Sequence, residues 1–404
     1  MPLTNSVTTY GRVTKSFHWL TALLILANLP IGWLATELAH QVEAAPTETL
    51  IARAAFLFSL HKTLGVGIFF VALARILWAI TQPKPGLLNG DRPLEAWAAE
   101  TVHWLLYGSL VLVPLSGWVH HAATSGFAPI WWPFGQTLPL VPKSDSLSQI
   151  ASTLHFIFML VLGGAVLAHA AGAAKHHILD GDATLRRMLP GQTPATPTAR
   201  QPGHALPLIA ALIVWGGAMG GATALGWFAE SETASGAKLA SVESDWQVES
   251  GQLQLTIEQM GSSVTGSFGE WTADITYSET PDPQGKHGTV DVTVGIQSLT
   301  LGSVTKQAMG ADFFKVSEFP TATFTADILS TPNGHVAKGS LSIRAQSVPV
   351  EMPFDLKIED GTAQANGSLT LDRREFNIGN GVSDEGSLAF DVDVGFELTA
   401  TRAN

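Results

Sequence analysis

Histidines are the residues in this chain whose spacing could support metal or redox chemistry. His155 and His169 bracket the uncharged run LHFIFMLVLGGAVLAHA at 154–170. On an α-helix fourteen residues make almost four turns, so both imidazoles lie near one face, about 21 Å apart along the axis. The run can cross most of a hydrocarbon core of about 30 Å. An ionisable residue inside a membrane span is a functional hypothesis by default. Two of them near opposite leaflets point to two metal centres stacked across a bilayer. The alternative is a pair of interfacial histidines with no ligand.

The elements that must position them are apolar runs. Five are long enough to cross, at 17–36, 61–80, 102–119, 152–172 and 205–228. With the N-terminus inside, the inner segments carry Arg12, Lys15, Arg75, Lys84, Arg92, Lys175, Arg186, Arg187 and Arg200. The outer loops carry Arg53 and Lys143, with Lys62 at a span edge. That asymmetry predicts a cytoplasmic N-terminus. Five spans then leave the C-terminal part outside, in a bacterial cell the periplasm. Trp131 and Trp132 fall in the outer loop before span four, where interfacial indoles are common.

This topology was set by Lys and Arg alone, yet it sorts the histidines into two level pairs. His18 and His169 lie at inner depth, and His61 and His155 at outer depth. Two bis-histidyl haems b fit, because neutral imidazole is a good axial ligand and the macrocycle packs between apolar helices. Zinc or copper fits poorly, since each pair lacks a nearby Asp, Glu or Cys within the spans and zinc usually takes three or four protein ligands. Gly65, Gly67, Gly163 and Gly164 offer small surfaces for a macrocycle or for ordinary helix packing. Arg12 and Arg75 could meet haem propionates or serve as flanking charges. His103 could line a quinone or haem pocket, or be an interfacial polar residue. His120 and His121 are substitute ligand candidates. His176 and His177 sit at the inner surface, where a histidine could exchange protons with a quinone, or form a solvated helix end. His40, His204, His287 and His335 read as loop residues.

Composition bounds these readings. The 404 residues are 46% hydrophobic with a mean hydropathy of +0.22, high for a soluble protein, and leave room for two or three domains. Residues 1–204 carry net +3 and residues 205–404 net −15. The acidic half argues against nucleic acid, whose phosphates need Lys and Arg. The absence of cysteine excludes thioether-attached haem, cysteine-ligated clusters and disulfides. The first apolar run has no clear small-residue cleavage site and reads as a retained span. A Pro-rich stretch at 190–203 reads as a linker, and 230–238 as a short polar tether. Beyond residue 246, segments such as 252–257, 290–294, 323–328, 339–343 and 389–398 alternate apolar and polar residues. They predict an antiparallel barrel or sandwich.

Several stretches resemble the bacterial cytochrome b561 family of four-helix, di-haem, quinone-linked membrane cytochromes. They are YGRVTKSFHW at 10–19, HKTLG at 61–65, VHWLLY and PLSGW within 102–118, LAHAAGAAKHH at 167–177 and DATLRRMLPG at 182–191. The resemblance implies axial ligation by His18, His61, His155 and His169, and quinone chemistry at the inner surface near His176. It further implies electron passage between quinone and a partner, or oxidation of superoxide with reduction of ubiquinone. Outer cations such as Arg53, Lys62 and Lys143 could steer superoxide. ADFFKVSEFPTATFTA at 311–326, GSVTGSFGEWTADITY at 262–277 and GSLTLDRREFNIGNG at 367–381 resemble the YceI-like family. That implies a lipocalin-like barrel holding a polyisoprenoid chain, with RAQSVPVEM at 344–352 replacing the family's usual turn. Phe268, Trp271, Phe313, Phe314, Phe319 and Phe324 are candidates to line its cavity, or to fill it as core.

The expected architecture is therefore a membrane all-α region, a four-helix di-haem bundle plus a fifth transmembrane helix, followed by an all-β antiparallel lipocalin-like barrel. Its segments are 8–191 for the bundle, 192–204 for a cytoplasmic linker, 205–228 for the fifth helix, 229–244 for a tether and 245–402 for a periplasmic barrel. The expected function is electron transfer in the bacterial inner membrane between ubiquinone or a related quinone and a periplasmic-side donor or acceptor. The barrel would bind an isoprenoid lipid or quinone. The rival is a non-enzymatic, membrane-tethered polyisoprenoid carrier.

Overall fold

A computed structural model of the chain describes residues 2–124, 126, 128–199, 201, 203–229, 239–240, 242, 244–332 and 334–403. Most of the expected tether lies outside them, as does Arg200. The chain divides into two compact units, one of 1–34, 57–123 and 130–229, the other of 35–56, 124–129 and 230–404.

Among the described residues five helices are long and apolar enough to cross a membrane: α1 (Arg12–Ala44), α2 (Glu48–Ile80), α3 (Pro93–Ala123), α4 (Asp145–Ile178) and α5 (Ala205–Ala224). Each is built on an apolar run whose backbone groups are satisfied within the helix, which a bilayer interior demands. α1 has one interior proline, Pro30, and α3 has one, Pro114, besides the Pro93 that begins it. Ser144 caps the start of α4 by accepting the Leu147 backbone N–H at 3.3 Å. Lys175, His176 and His177 occupy the last turn of α4, where positive charge meets the negative end of the helix dipole.

One buried cluster of Ile25, Ile68, Ala72, Leu110 and Leu162 draws on α1, α2, α3 and α4. A second, of Leu105, Phe158, Ala165, Ala211 and Trp215, seats α5 on α3 and α4. A Cβ at Gly108 would come 2.1 Å from the Trp215 ring, so only glycine lets the indole lie on α3 there. Large apolar side chains such as Leu23, Leu26, Leu77, Leu167 and Ile213 point outward, as lipid-facing positions do. Among its described residues the Pro-rich connector has no helix or strand, yet it is tied down. The Ala195 N–H reaches the Thr8 carbonyl at 3.4 Å, and the Thr198 N–H reaches Leu87 at 3.2 Å.

The second unit carries ten strands: β1 (Trp246–Gln259), β2 (Ser262–Phe268), β3 (Trp271–Tyr277), β4 (Lys286–Gly295), β5 (Leu299–Thr300), β6 (Thr321–Thr331), β7 (Gly334–Ile343), β8 (Gln346–Glu359), β9 (Thr362–Asp372) and β10 (Asp391–Arg402). They form one curled antiparallel sheet in the order β3-β4-β6-β7-β8-β9-β10-β1-β2-β5. Period-2 patterning explains the curl's inside and outside. Along β8, Val350, Met352, Phe354, Leu356 and Ile358 line the interior, while Glu351, Lys357 and Glu359 face out. His287 and His335, expected in loops, lie on β4 and β7, and His40 lies in α1. Their flanks are short polar stretches that local pattern reads as loop but that sheet pairing and helix continuation recruit.

Candidate functional site

His18 extends from α1 and His169 from α4, and their ring centres stand 6.0 Å apart. His61 extends from α2 and His155 from α4, with ring centres 6.3 Å apart and planes at 89°. These spacings are informative. A metal–imidazole bond of about 2 Å puts two trans rings roughly 6.4 Å apart centre to centre. His103 stands closer to His169, 5.3 Å centre to centre, a distance of ring packing that is too short for two imidazoles sharing one metal.

The His61–His155 pair is also oriented. His61 Nδ1 lies 3.1 Å from the Asn28 carbonyl, and His155 Nδ1 lies 2.8 Å from the Val113 carbonyl. A carbonyl oxygen only accepts, so each Nδ1 carries the proton and each Nε2 keeps its lone pair for a metal. Both rings line a cavity of 110 Å³, together with Lys62, Gly65, Val66, His121 and Leu162 among others. Lys62 is only 7% exposed. His120 Nδ1 is held by Ser148, 2.8 Å from the hydroxyl and 2.9 Å from the carbonyl, so that nitrogen is already engaged.

Beside the His18–His169 pair, Arg75 packs its guanidinium over the Tyr107 ring at 5.4 Å. Arg12 is exposed. At the end of α4 a polar network joins the quinone-site candidate His176 to Lys175, Arg92 and carboxylates that the sequence pattern does not single out. His176 Nδ1 lies 2.7 Å from Asp182 and 3.3 Å from Asp180. Lys175 bridges Glu95 at 2.7 Å and Asp180 at 2.9 Å, and Arg92 meets Asp180 at 3.1 Å. Glu95, His176 and Asp180 converge closely enough for a cation, but Lys175 and Arg92 together already pair with both carboxylates. Burial pulls the Asp182 carboxyl upward. The Thr184 backbone N–H, the Thr184 hydroxyl and His176 outweigh it and hold that carboxyl below its ordinary range. His177 is exposed.

Residues 9–191 match the family model described as prokaryotic cytochrome b561, and residues 246–400 match the YceI-like domain. One chain thus carries both matches, the cytochrome b561 match first and the YceI-like match after it. Cytochrome b561 homolog 2 of Escherichia coli (strain K12) is 29% identical over 196 residues, 47% of this chain and 95% of that protein. The probable superoxide oxidase CybB of Yersinia pestis is 25% identical over 182 residues, 45% of this chain and 96% of that protein. Among solved structures, Burkholderia cenocepacia BcnA is 27% identical and covers 37% of this chain and 96% of its own, with a TM-score of 0.35. A Campylobacter jejuni YceI protein is 22% identical and covers 34% and 85%, with a TM-score of 0.30.

Members of the cytochrome b561 family bind haem b. The four half-buried histidines suit such a group, because they would offer it neutral imidazole donors in two pairs within an apolar bundle. Gly32 and Gly117 keep two of the rings clear of the helices behind them. A Cβ at Gly32 would fall 2.6 Å from the His61 ring, and one at Gly117 would fall 2.9 Å from the His155 ring. The sequence had drawn attention to Gly65, Gly67, Gly163 and Gly164 instead. Only the P-x-G and P-x-x-G spacing at 30–32 and 114–117 could have flagged the other two.

The YceI-like sheet encloses an apolar cavity of 290 Å³. Phe268, Trp271, Phe313, Phe314 and Phe324 line it, and Phe319 does not. Phe319 follows a turn in which Lys315 adopts a positive φ of 48°, which carries it off the wall. Among the lining side chains, Gln259, Gln307, Tyr277 and Arg373 bring polar atoms.

Proposed function

We propose that the cytochrome b561 region, residues 8–191, holds two haems b and carries electrons between a quinone and a partner on the opposite side of the bacterial inner membrane. His18 and His169 would hold the inner group, His61 and His155 the outer one. The observation that carries this reading is the twin ring spacing of 6.0 and 6.3 Å at two depths of one bundle. When bound, haem supplies one-electron redox chemistry; the protein's part is to hold it, exclude water and manage protons. Arg75, and Arg12 if its side chain swings inward, are the propionate partners in this reading. His176 would take or give the proton that accompanies quinone chemistry, with Asp182 holding its Nδ1 proton and His103 lining the same side. The N-terminus is cytoplasmic, by the Lys and Arg asymmetry. Residues 192–204 form a cytoplasmic linker, 205–228 the fifth span and 229–244 a tether. The domain at 245–402 is periplasmic and keeps an isoprenoid lipid or a quinone tail in its apolar cavity. The test is a reduced-minus-oxidised spectrum of purified full-length protein, with haem counted as pyridine haemochrome. Two haems b per chain are expected, with one lost in His61→Ala and the other in His169→Ala. Haem-free but folded protein would overturn the reading and leave a tethered lipid carrier.

A second reading, superoxide:ubiquinone oxidoreductase, draws on Lys62. Its buried ammonium lines the cavity shared by His61 and His155, where an anionic reductant would arrive. Superoxide generated in solution should then reduce the protein rapidly, and Lys62→Met should slow that step without changing reduction by ubiquinol.

A further inference from the structure

The two histidines of the His61–His155 pair are seated by the same device, built twice. On α1, the Asn28 carbonyl faces His61 Nδ1 at 3.1 Å, and four residues on Gly32 leaves the space the ring fills. On α3, the Val113 carbonyl faces His155 Nδ1 at 2.8 Å, and four residues on Gly117 does the same. Each turn also contains a proline, Pro30 or Pro114. Residues i and i+4 stack one above the other on a helix face. A carbonyl at i and a bare Cα at i+4 thus form a slot one ring deep. In both cases the first helix of a consecutive pair supplies the slot, and the next helix supplies the histidine.

We propose that Gly32 and Gly117, with the carbonyls of Asn28 and Val113, are positioning residues that fix the tautomer and ring plane of His61 and His155 and thereby tune the metal centre they hold. The proposal rests on the haem reading above. It distinguishes the two centres, because among the described residues no carbonyl or side chain is hydrogen-bonded to His18 or His169. A hydrogen-bonded Nδ1–H makes the imidazole a stronger donor and stabilises the oxidised metal. The slot also sets the rings nearly perpendicular, at 89°, against 60° for the other pair. An added methyl at either glycine meets ring atoms at 2.6–2.9 Å, closer than real side chains come, so the ring must turn or retreat.

The experiment uses full-length protein in detergent, with potentiometric titration followed optically and low-temperature EPR. The His61→Ala variant identifies which signals belong to the outer centre. Gly32→Ala and Gly117→Ala should each move that centre's midpoint potential upward and change its largest g-value, or lower the haem count from two to one. The other centre should keep both signatures. Gly217→Ala on α5, where a Cβ meets open space, should change neither. If the wild type binds two haems and both alanine variants leave the outer centre's potential and g-value unchanged, the slot proposal fails while the haem reading stands. If the wild type binds none, the haem reading itself fails. Should the alanine variants not accumulate, wild-type protein with ¹⁵N-labelled histidine still decides. Hyperfine spectroscopy should find a hydrogen-bonded Nδ1 proton on both outer ligands, and its absence there would overturn the proposal.

Discussion

Lys84 Nζ sits 2.7 Å from both carboxylate oxygens of Glu100, whose side chain is only 4% exposed. His204 Nδ1, at the start of α5, approaches the same carboxylate at 3.1 Å. A carboxylate this enclosed is costly without its partners. It also ties the connector ahead of α5 to the head of α3.

Lys84→Met should therefore destabilise the helical unit by about 2 kcal/mol, the scale of a hydrogen bond to a charged group left unmade. Lys84→Met combined with Glu100→Gln should recover much of that loss, because the buried charge goes too. The thermal midpoint of detergent-solubilised protein reports it. A double variant no better than Lys84→Met alone would show that the carboxylate is not what the lysine serves.

A second expectation concerns pH and the YceI-like domain. Tyr277 Oη lies 3.2 Å from His335 Nε2, and the His287 and Phe354 rings pack at 5.3 and 5.5 Å. Burial, and then the neighbouring His287, hold the His335 pKa below the ordinary 6.5. The folded form then binds fewer protons than the unfolded chain near that pH, so stability rises with pH there. The contribution is complete above about 6.5 and is lost as pH falls through the lowered folded value. Hydrogen exchange in β4 and β7 of the full-length protein should accelerate below pH 6.5 beyond the intrinsic rate. His335→Gln should flatten that slope.

How much of this was legible beforehand follows from which forces act locally. The five spans came from run length and apolarity alone, which need no tertiary partner, and α1 runs on to Ala44 through polar Glu37, His40 and Glu43 only because helix continuation tolerates them. The histidine pairs followed from span direction plus the 3.6 period. The slots at Gly32 and Gly117 did not, because whether a glycine meets a ring depends on how closely α1 packs on α2 and α3 on α4. Glu95, Glu100, Asp180 and Asp182 carry no signal in the sequence pattern, since their pairing with Lys175, Lys84, Arg92 and His176 spans up to about ninety residues of sequence. In the sheet, alternation marked strands well. It could not tell a cavity wall from a filled core, or show that Phe319 turns away.

Arg373 carries a third expectation. Its side chain spends all five N–H donors on backbone carbonyls: Nε on Ala389 at 3.0 Å, Nη1 on Ile378 and Gly379 at 2.8 and 2.7 Å, and Nη2 on Val382 and Leu388 at 2.7 and 3.2 Å. It thereby pins the long connection between β9 and β10 and closes part of the cavity wall. Lysine offers three donors on one atom and cannot span this fork. Arg373→Lys should lower domain stability by about 3 kcal/mol, read as an earlier urea midpoint in pulse proteolysis of the C-terminal fragment. Arg374→Lys, whose exposed guanidinium pairs with Asp372, should shift it far less.

The last expectation bears on what the cavity is for. Ala337 on β7 and Ala365 on β9 are buried in the wall of the 290 Å³ space, where small side chains leave the width that a chain-like apolar ligand needs. If the space were ordinary core, filling it would improve packing or force the strands apart. If it is a binding cavity, filling it should abolish binding at modest cost to the fold, about 1–3 kcal/mol for each added ring. Ala337→Phe with Ala365→Phe should therefore stop the full-length protein from co-purifying with isoprenoid lipid, measured by extraction and mass spectrometry. Its pulse-proteolysis midpoint should fall by no more than the two rings together cost, about 2–6 kcal/mol, with the domain still folding cooperatively. Glu351→Gln, on the outer face of β8 beside Lys338, should leave the lipid content unchanged. Wild-type protein that carries no isoprenoid and takes none from liposomes would remove the cavity from the function altogether. Lipid retained by the filled variant would move the binding site elsewhere on the chain.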